Sequence, residues 1–190
     1  YFEDMKVSNP IKYNHVVLGS WLSKAEGVVY TNWRFGEFNP DGLQVIFGQD
    51  YGHTDPTTLV KIAIDKKKKI IYAKEELYKS KLTISEIYAI NRQRAGRNLI
   101  IGDSASAGTI AELQKLGLNI RGAKKGAGSI ATGIALIQDY ELVVDSDSTN
   151  IAKELNNYVY TDKGAQLACD MYNHSLDALR YGVSHLLANR

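Results

Sequence analysis

The order in which strand-like and helix-like patterns follow one another constrains this chain more than any single motif. Three β-rich runs come first, at 43–47, 57–64 and 70–73, separated by a Gly/Asp/Pro loop and by the four lysines Lys66 to Lys69. β-Branched and aromatic residues fill these runs and turn formers punctuate them, which predicts an antiparallel meander with the lysines at a solvated hairpin tip. After Thr83 the period changes. Ile84, Ile87, Tyr88 and Ile90 fall at helical spacing up to Gly96. A short buried strand at 99–101 follows, then a helix at 107–116 stopped by Gly117, a strand at 118–120 and a helix around 130–139. A strand at 142–144 and a helix at 151–158, opened by Ser148 and Thr149, continue the alternation. A meander that passes into βα units predicts an α/β domain built on one mixed sheet flanked by helices.

The ends fit the same scheme. Residues 27–33 read as an edge strand closed by Gly36 and Asn39-Pro40-Asp41-Gly42. Leu176, Leu179, Val183, Leu186 and Leu187 recur at helical spacing across 173–188, predicting an amphipathic helix packed on the sheet. The chain opens on Tyr1 rather than Met, so it is expected to be a piece of a larger protein.

Composition narrows the chemistry. With 190 residues, 44% of them hydrophobic and 23% charged, the chain has the makeup of one globular domain. A net charge of only +2 means that a polyanion must be held by a local basic cluster rather than by the field of the whole molecule. The single cysteine, Cys169, excludes an intrachain disulfide and a multi-cysteine zinc site and points to a reducing compartment. No apolar run approaches the ~20 residues of a membrane helix.

Two aspartates stand where a sheet presents functional groups. Asp50 follows the apolar run Val45-Ile46-Phe47, and Asp103 follows Ile100-Ile101 and precedes small residues that leave room. Acids at the ends of two central strands suggest a shared cleft. Each alone also reads as a turn or helix-cap aspartate. A third acid lies in Asn173-His174-Ser175-Leu176-Asp177. Asp170, His174 and Asp177 share one face if the helix reaches back that far, although pairing of Asp177 with Arg180 or Tyr181 accounts for it equally well. Carboxylates suit Mg²⁺ or Mn²⁺, and two such ions can drive phosphodiester hydrolysis without a protein nucleophile. No Walker loop and no Gly-x-Ser-x-Gly elbow occurs. Arg121, Lys124 and Lys125, beside flexible glycines and a helix start at Ser129, have the chemistry to hold a phosphate backbone.

Taken in order, Gly48-Gln49-Asp50-Tyr51-Gly52, Gly102-Asp103-Ser104-Ala105, Lys124-Lys125-Gly126-Ala127-Gly128-Ser129 and Asn173-His174-Ser175-Leu176-Asp177 resemble the nuclease domain of the large terminase subunit of tailed bacteriophages. Leu18-Gly19-Ser20-Trp21 and Ala25-Glu26-Gly27 resemble the passage into that domain from an ATPase domain. The resemblance implies an RNase H-like fold over 27–190, with 1–26 as the linker from a missing N-terminal ATPase. It implies that Asp50, Asp103 and Asp177 bind two divalent cations, Mg²⁺ or Mn²⁺, with His174 beside them, and that the domain cuts concatemeric double-stranded DNA. The implied partners are DNA, the ATPase domain, the small terminase subunit and the portal protein, and the implied location is the cytoplasm of the infected bacterial host. A non-catalytic nucleic-acid-binding module and a resolvase-type or hybrid-specific nuclease of the same fold remain as alternatives.

Overall fold

The structure, a computed structural model, describes residues 27–161, 168 and 171–188. Among these residues, seven strands form one sheet in the order β1-β7-β4-β3-β2-β5-β6. The meander is present: β2 (Val45–Asp50) pairs antiparallel with β3 (Thr57–Asp65), and β3 with β4 (Ile70–Lys79). Lys66 to Lys69 are exposed at the β3–β4 tip, where the Asp65 carboxylate accepts the backbone N–H groups of Lys67 and Lys68, each at 3.0 Å. The remaining pairings are parallel. β5 (Ile100–Gly102) joins β2, and β6 (Ile120–Gly122) joins β5. On the other side β7 (Glu141–Asp145) joins β4, and the edge strand β1 (Trp33–Gly36) joins β7.

Among the described residues, five α-helices cover the faces: α1 (Ile84–Arg94), α2 (Ala107–Lys115), α3 (Ser129–Gln138), α4 (Thr149–Asn157) and α5 (His174–Ala188). Thr83 opens α1 through a reciprocal capping box with Glu86. The pleat of β2 divides the core between the two faces, because successive side chains point to opposite sides. Ile46 joins a core with Leu176, Leu179 and Val183 of α5, Ile134 of α3 and Leu155 of α4. Phe47 joins a second core with Ile87 of α1 and Ile110 and Leu113 of α2. Further along, Gln49 faces Asn91 of α1, and the two buried amides exchange hydrogen bonds of 3.1 and 2.8 Å. Gly48 and Asp50 therefore face α5.

Gly48 sits where α5 lies close against the sheet: a side chain there would overlap the Ala178 backbone carbonyl. Gly182, one turn further along α5, is also tight, against the end of the Ile62 side chain of β3. Two glycines on facing surfaces thus let the helix lie directly on the strand that ends in Asp50.

Several expected boundaries differ. Val29 and Tyr30 are buried, yet the strand begins only at Trp33; Val28 makes a single bridge to Val159. The strand expected at 118–120 starts at Ile120, with Leu118 buried just before it. Ser148 stands at the start of α4, but its hydroxyl accepts the Glu75 N–H at 2.8 Å instead of capping the helix. The Glu75 carboxylate takes the Ile151 N–H of α4 in its place. Helix α5 starts at His174; Cys169, Asp170 and the proposed linker 1–26 lie outside the described residues.

Candidate active site

Asp50 is the last residue of β2, and Asp103 follows directly on β5. The parallel register pairs Gln49 with Gly102, and the Asp103 N–H donates to the Gln49 carbonyl at 3.0 Å. The ladder therefore sets the two aspartates side by side. Gly102 is needed at this point because a Cβ would crowd the partly buried Tyr51 ring.

Helix α5 crosses above them. Its first turn is anchored from two elements. Thr58, the cross-strand partner of Asp50, donates its hydroxyl to the His174 carbonyl at 3.1 Å. Glu154 of α4 accepts the Ser175 and Leu176 N–H groups at 2.8 and 3.1 Å, which satisfies donors that the helix start leaves open. So held, His174 places Nδ1 3.4 Å from Asp50 Oδ2. The Asp50 contact raises the His174 pKa against the opposing effect of burial.

Each carboxylate has its own cationic or imidazole neighbour. Asp103 meets Lys125 Nζ and also accepts the Ala105 N–H at 2.9 Å, so it makes the turn-capping contact that the sequence allowed. Asp177 lies 2.5 Å from Arg180 Nη2, the pairing that the sequence allowed. Arg180 is 6% exposed, and Gly133 of α3 leaves room for its stem. Burial raises the Asp177 pKa, Arg180 opposes that shift, and the negative charge of Asp50 adds to it. Tyr181 senses the whole group: burial first, then Asp177, Asp50 and Asp103, push its phenol up.

Among the described residues, no three His, Cys, Asp or Glu side chains are gathered closely enough to hold a metal ion. The donor set itself is hard oxygen from three carboxylates with one imidazole alongside, which matches Mg²⁺ or Mn²⁺ in chemistry.

Of the basic residues singled out in the sequence, Lys125 reaches the cluster. Lys124 and Arg121 are exposed on the adjoining loop and on β6. Sequence reasoning missed Gly48, Thr58 and Glu154. Glu154 was detectable, because it falls on the apolar face of α4 between Ile151 and Leu155, where an acid is out of place.

A model of the terminase RNase H-like domain family matches residues 50–185. The chain belongs to this family. The large terminase subunit of Bacillus phage SPP1 is 32% identical to this terminase-family domain over 201 residues, an alignment covering 94% of this chain and 46% of that protein. The domain thus spans less than half of that relative's length. Among solved structures, the nuclease domain of the SPP1 large terminase with bound Mn is 30% identical, with a TM-score of 0.71, and covers 83% of this chain and 98% of that one. The nuclease domain of the phage P22 large terminase, at 16% identity, shares the fold with a TM-score of 0.69, covering 87% of this chain and 95% of that one. The RNase H-like architecture expected from the sequence is therefore present.

Glu154 also makes the domain sensitive to pH. Burial raises its carboxyl pKa to about 7, against the opposing N–H groups of Leu176 and Ser175. Because the folded pKa lies above the unfolded one, the linked stability is fully present below about pH 4.5 and is lost as pH rises through about 7. Thermal melts of the wild type at pH 5 and pH 8 are expected to show this loss, and Glu154→Gln is expected to flatten it. A variant with the wild-type pH slope would assign the effect to another group.

Proposed function

We propose that this domain is a divalent-cation-dependent endodeoxyribonuclease that cuts concatemeric double-stranded DNA during viral genome packaging. The observation that carries the reading is the convergence of Asp50 and Asp103 at adjacent strand ends beneath the helix bearing Asp177 and His174. Similarity to the SPP1 nuclease domain with bound Mn supports it. In this reading Asp50, Asp103 and Asp177 hold two cations, Mg²⁺ or Mn²⁺. When bound, such ions activate water and neutralise charge on the attacking and leaving oxygens of an in-line displacement.

The chain's own residues supply the rest. Asp50 favours the protonated form of His174 beside the cluster, and an imidazolium there orients the carboxylate and adds positive charge next to the phosphate. Arg121, Lys124 and Lys125 hold the DNA backbone. Lys125 and Arg180 exchange carboxylate for phosphate oxygen as partner, keeping a charge-assisted contact in both states. The larger protein adds an ATPase domain joined through residues 1–26, and the small terminase subunit and portal protein as partners. Its place of action is the cytoplasm of the infected bacterium. Among the described residues no helix is long and apolar enough to cross a membrane.

The test is plasmid DNA incubated with the purified domain and Mg²⁺, Mn²⁺ or a chelator. Nicking and linearisation with little sequence preference are expected with the cations alone. Mn²⁺ binding by calorimetry with intact plasmid at every cation concentration would instead make this a binding or assembly module. Preference for junction or RNA–DNA hybrid substrates over linear duplex would move it to another nuclease class.

A further inference from the structure

A cavity of about 150 Å³ adjoins the carboxylate cluster and shares Lys125, Arg180 and Tyr181 with it. Beyond those three, Lys124, Ser129, Ser184 and His185 supply its polar lining. The shared cations already have carboxylate partners, Asp103 and Asp177. Lys124 and the nearby Arg121 have no ion-pair partner among the described residues. Their uncompensated charge is felt inside the cavity, since burial and then Arg121 and Lys124 lower the His185 pKa.

A backbone contribution has the same sign. Ser129 is the first residue of α3, and that helix start, entered through Gly128 at φ +73°, has no side-chain cap. Its first-turn N–H groups and the positive end of the helix dipole add to the field. Hydroxyls from Ser129 and Ser184 provide donors that a neutral apolar pocket would lack. The apolar part of the wall, Ile101 and Tyr181, lowers the local dielectric and lengthens the reach of each charge.

The geometry points to this cavity as a phosphate subsite that takes a phosphodiester group of the DNA strand next to the one held at the carboxylates. The inference rests on the nuclease reading for the identity of the strand. It adds a register: a strand seated by Lys124, His185 and the start of α3 presents its neighbouring phosphate to Asp103 and Asp177, because Lys125 and Arg180 belong to both sites. Helix α5 thus carries catalytic groups in its first turn and a strand-positioning group, His185, near its end.

The test measures binding of a short labelled duplex by fluorescence anisotropy in chelator, where cleavage is absent. Lys124→Glu and His185→Glu are each expected to weaken binding by about tenfold or more at low salt and to flatten its salt dependence. Lys67→Glu, at the β3–β4 tip, is expected to change it less than about twofold, since that charge is remote and screened. Equal weakening by Lys67→Glu, or wild-type affinity in both cavity variants, overturns the subsite. Lys124 is exposed, so its reversal keeps the fold even if His185→Glu does not. In parallel, the His185 imidazole is followed by NMR. Its pKa is expected to rise when duplex is added, because an anion favours the imidazolium. A rise with inorganic phosphate but not with duplex makes the cavity a small-anion site and overturns the strand assignment. If the wild type never cuts plasmid while both cavity effects appear, the nuclease reading fails and the subsite stands.

Discussion

Asp50→Asn is expected to abolish cation-dependent DNA cleavage while leaving the fold intact. The two substituents have nearly the same shape, and the backbone of residue 50 stays in its ladder opposite Thr58. Asn still offers an acceptor to His174, which lies 3.4 Å from the present carboxylate. What disappears is the negative charge that would hold a cation. Groups that merely orient a metal ligand are worth about 10–100-fold in affinity or activity, so losing a ligand itself is expected to exceed roughly a hundredfold. Asp177→Asn should behave alike in cleavage but differ in stability. It leaves Arg180, 6% exposed, without its anionic partner, and breaking a buried pair from one side costs about 3–5 kcal/mol. Plasmid nicking, Mn²⁺ calorimetry and thermal melting separate these effects. Undiminished cleavage by folded Asp50→Asn would remove the basis of the proposed mechanism.

The contrast between these aspartates follows the way each was legible. Asp50 and Asp103 end apolar runs, a local pattern that a linear sequence displays. That β2 and β5 lie side by side is not local: about fifty residues, including two further strands and a helix, separate them in the chain, and only the parallel register makes them neighbours. Asp177 needed the family resemblance, since its pairing with Arg180 is what an ordinary helix-face acid would also make. Boundaries failed where burial and strand pairing part company. Val29 and Tyr30 look like strand residues because they are buried and β-prone, yet they pack as irregular chain with one nearby bridge. Hydrophobic pattern reports desolvation, whereas a ladder needs a partner edge that sequence alone does not reveal. The partners of Glu154 and Ser148 were hidden for a related reason. Their roles depend on which elements pack together, so the cap of α5 comes from α4 and the cap of α4 comes from β4.

Gly48→Ala is the substitution expected to damage both stability and site geometry, although it touches no charged group. The new methyl would overlap the Ala178 carbonyl, a backbone atom that no side-chain rotation can move aside. Overpacking that side chains can absorb costs about 1–3 kcal/mol, so a clash against helix backbone is expected to exceed about 3 kcal/mol. For a domain of this size that is a fall in Tm of roughly 10 °C. Relief requires α5 to lift from β2, and the same movement draws His174 and Asp177 away from Asp50. Mn²⁺ affinity and cleavage are therefore expected to drop even below the variant's melting temperature, where the fold persists. Gly108→Ala is the control: it lies in helix α2 with open space around its Cβ position, and its melting temperature should be unchanged or slightly higher. Wild-type melting and Mn²⁺ binding in Gly48→Ala would show that the close approach of α5 to the sheet is not what brings Asp177 to Asp50.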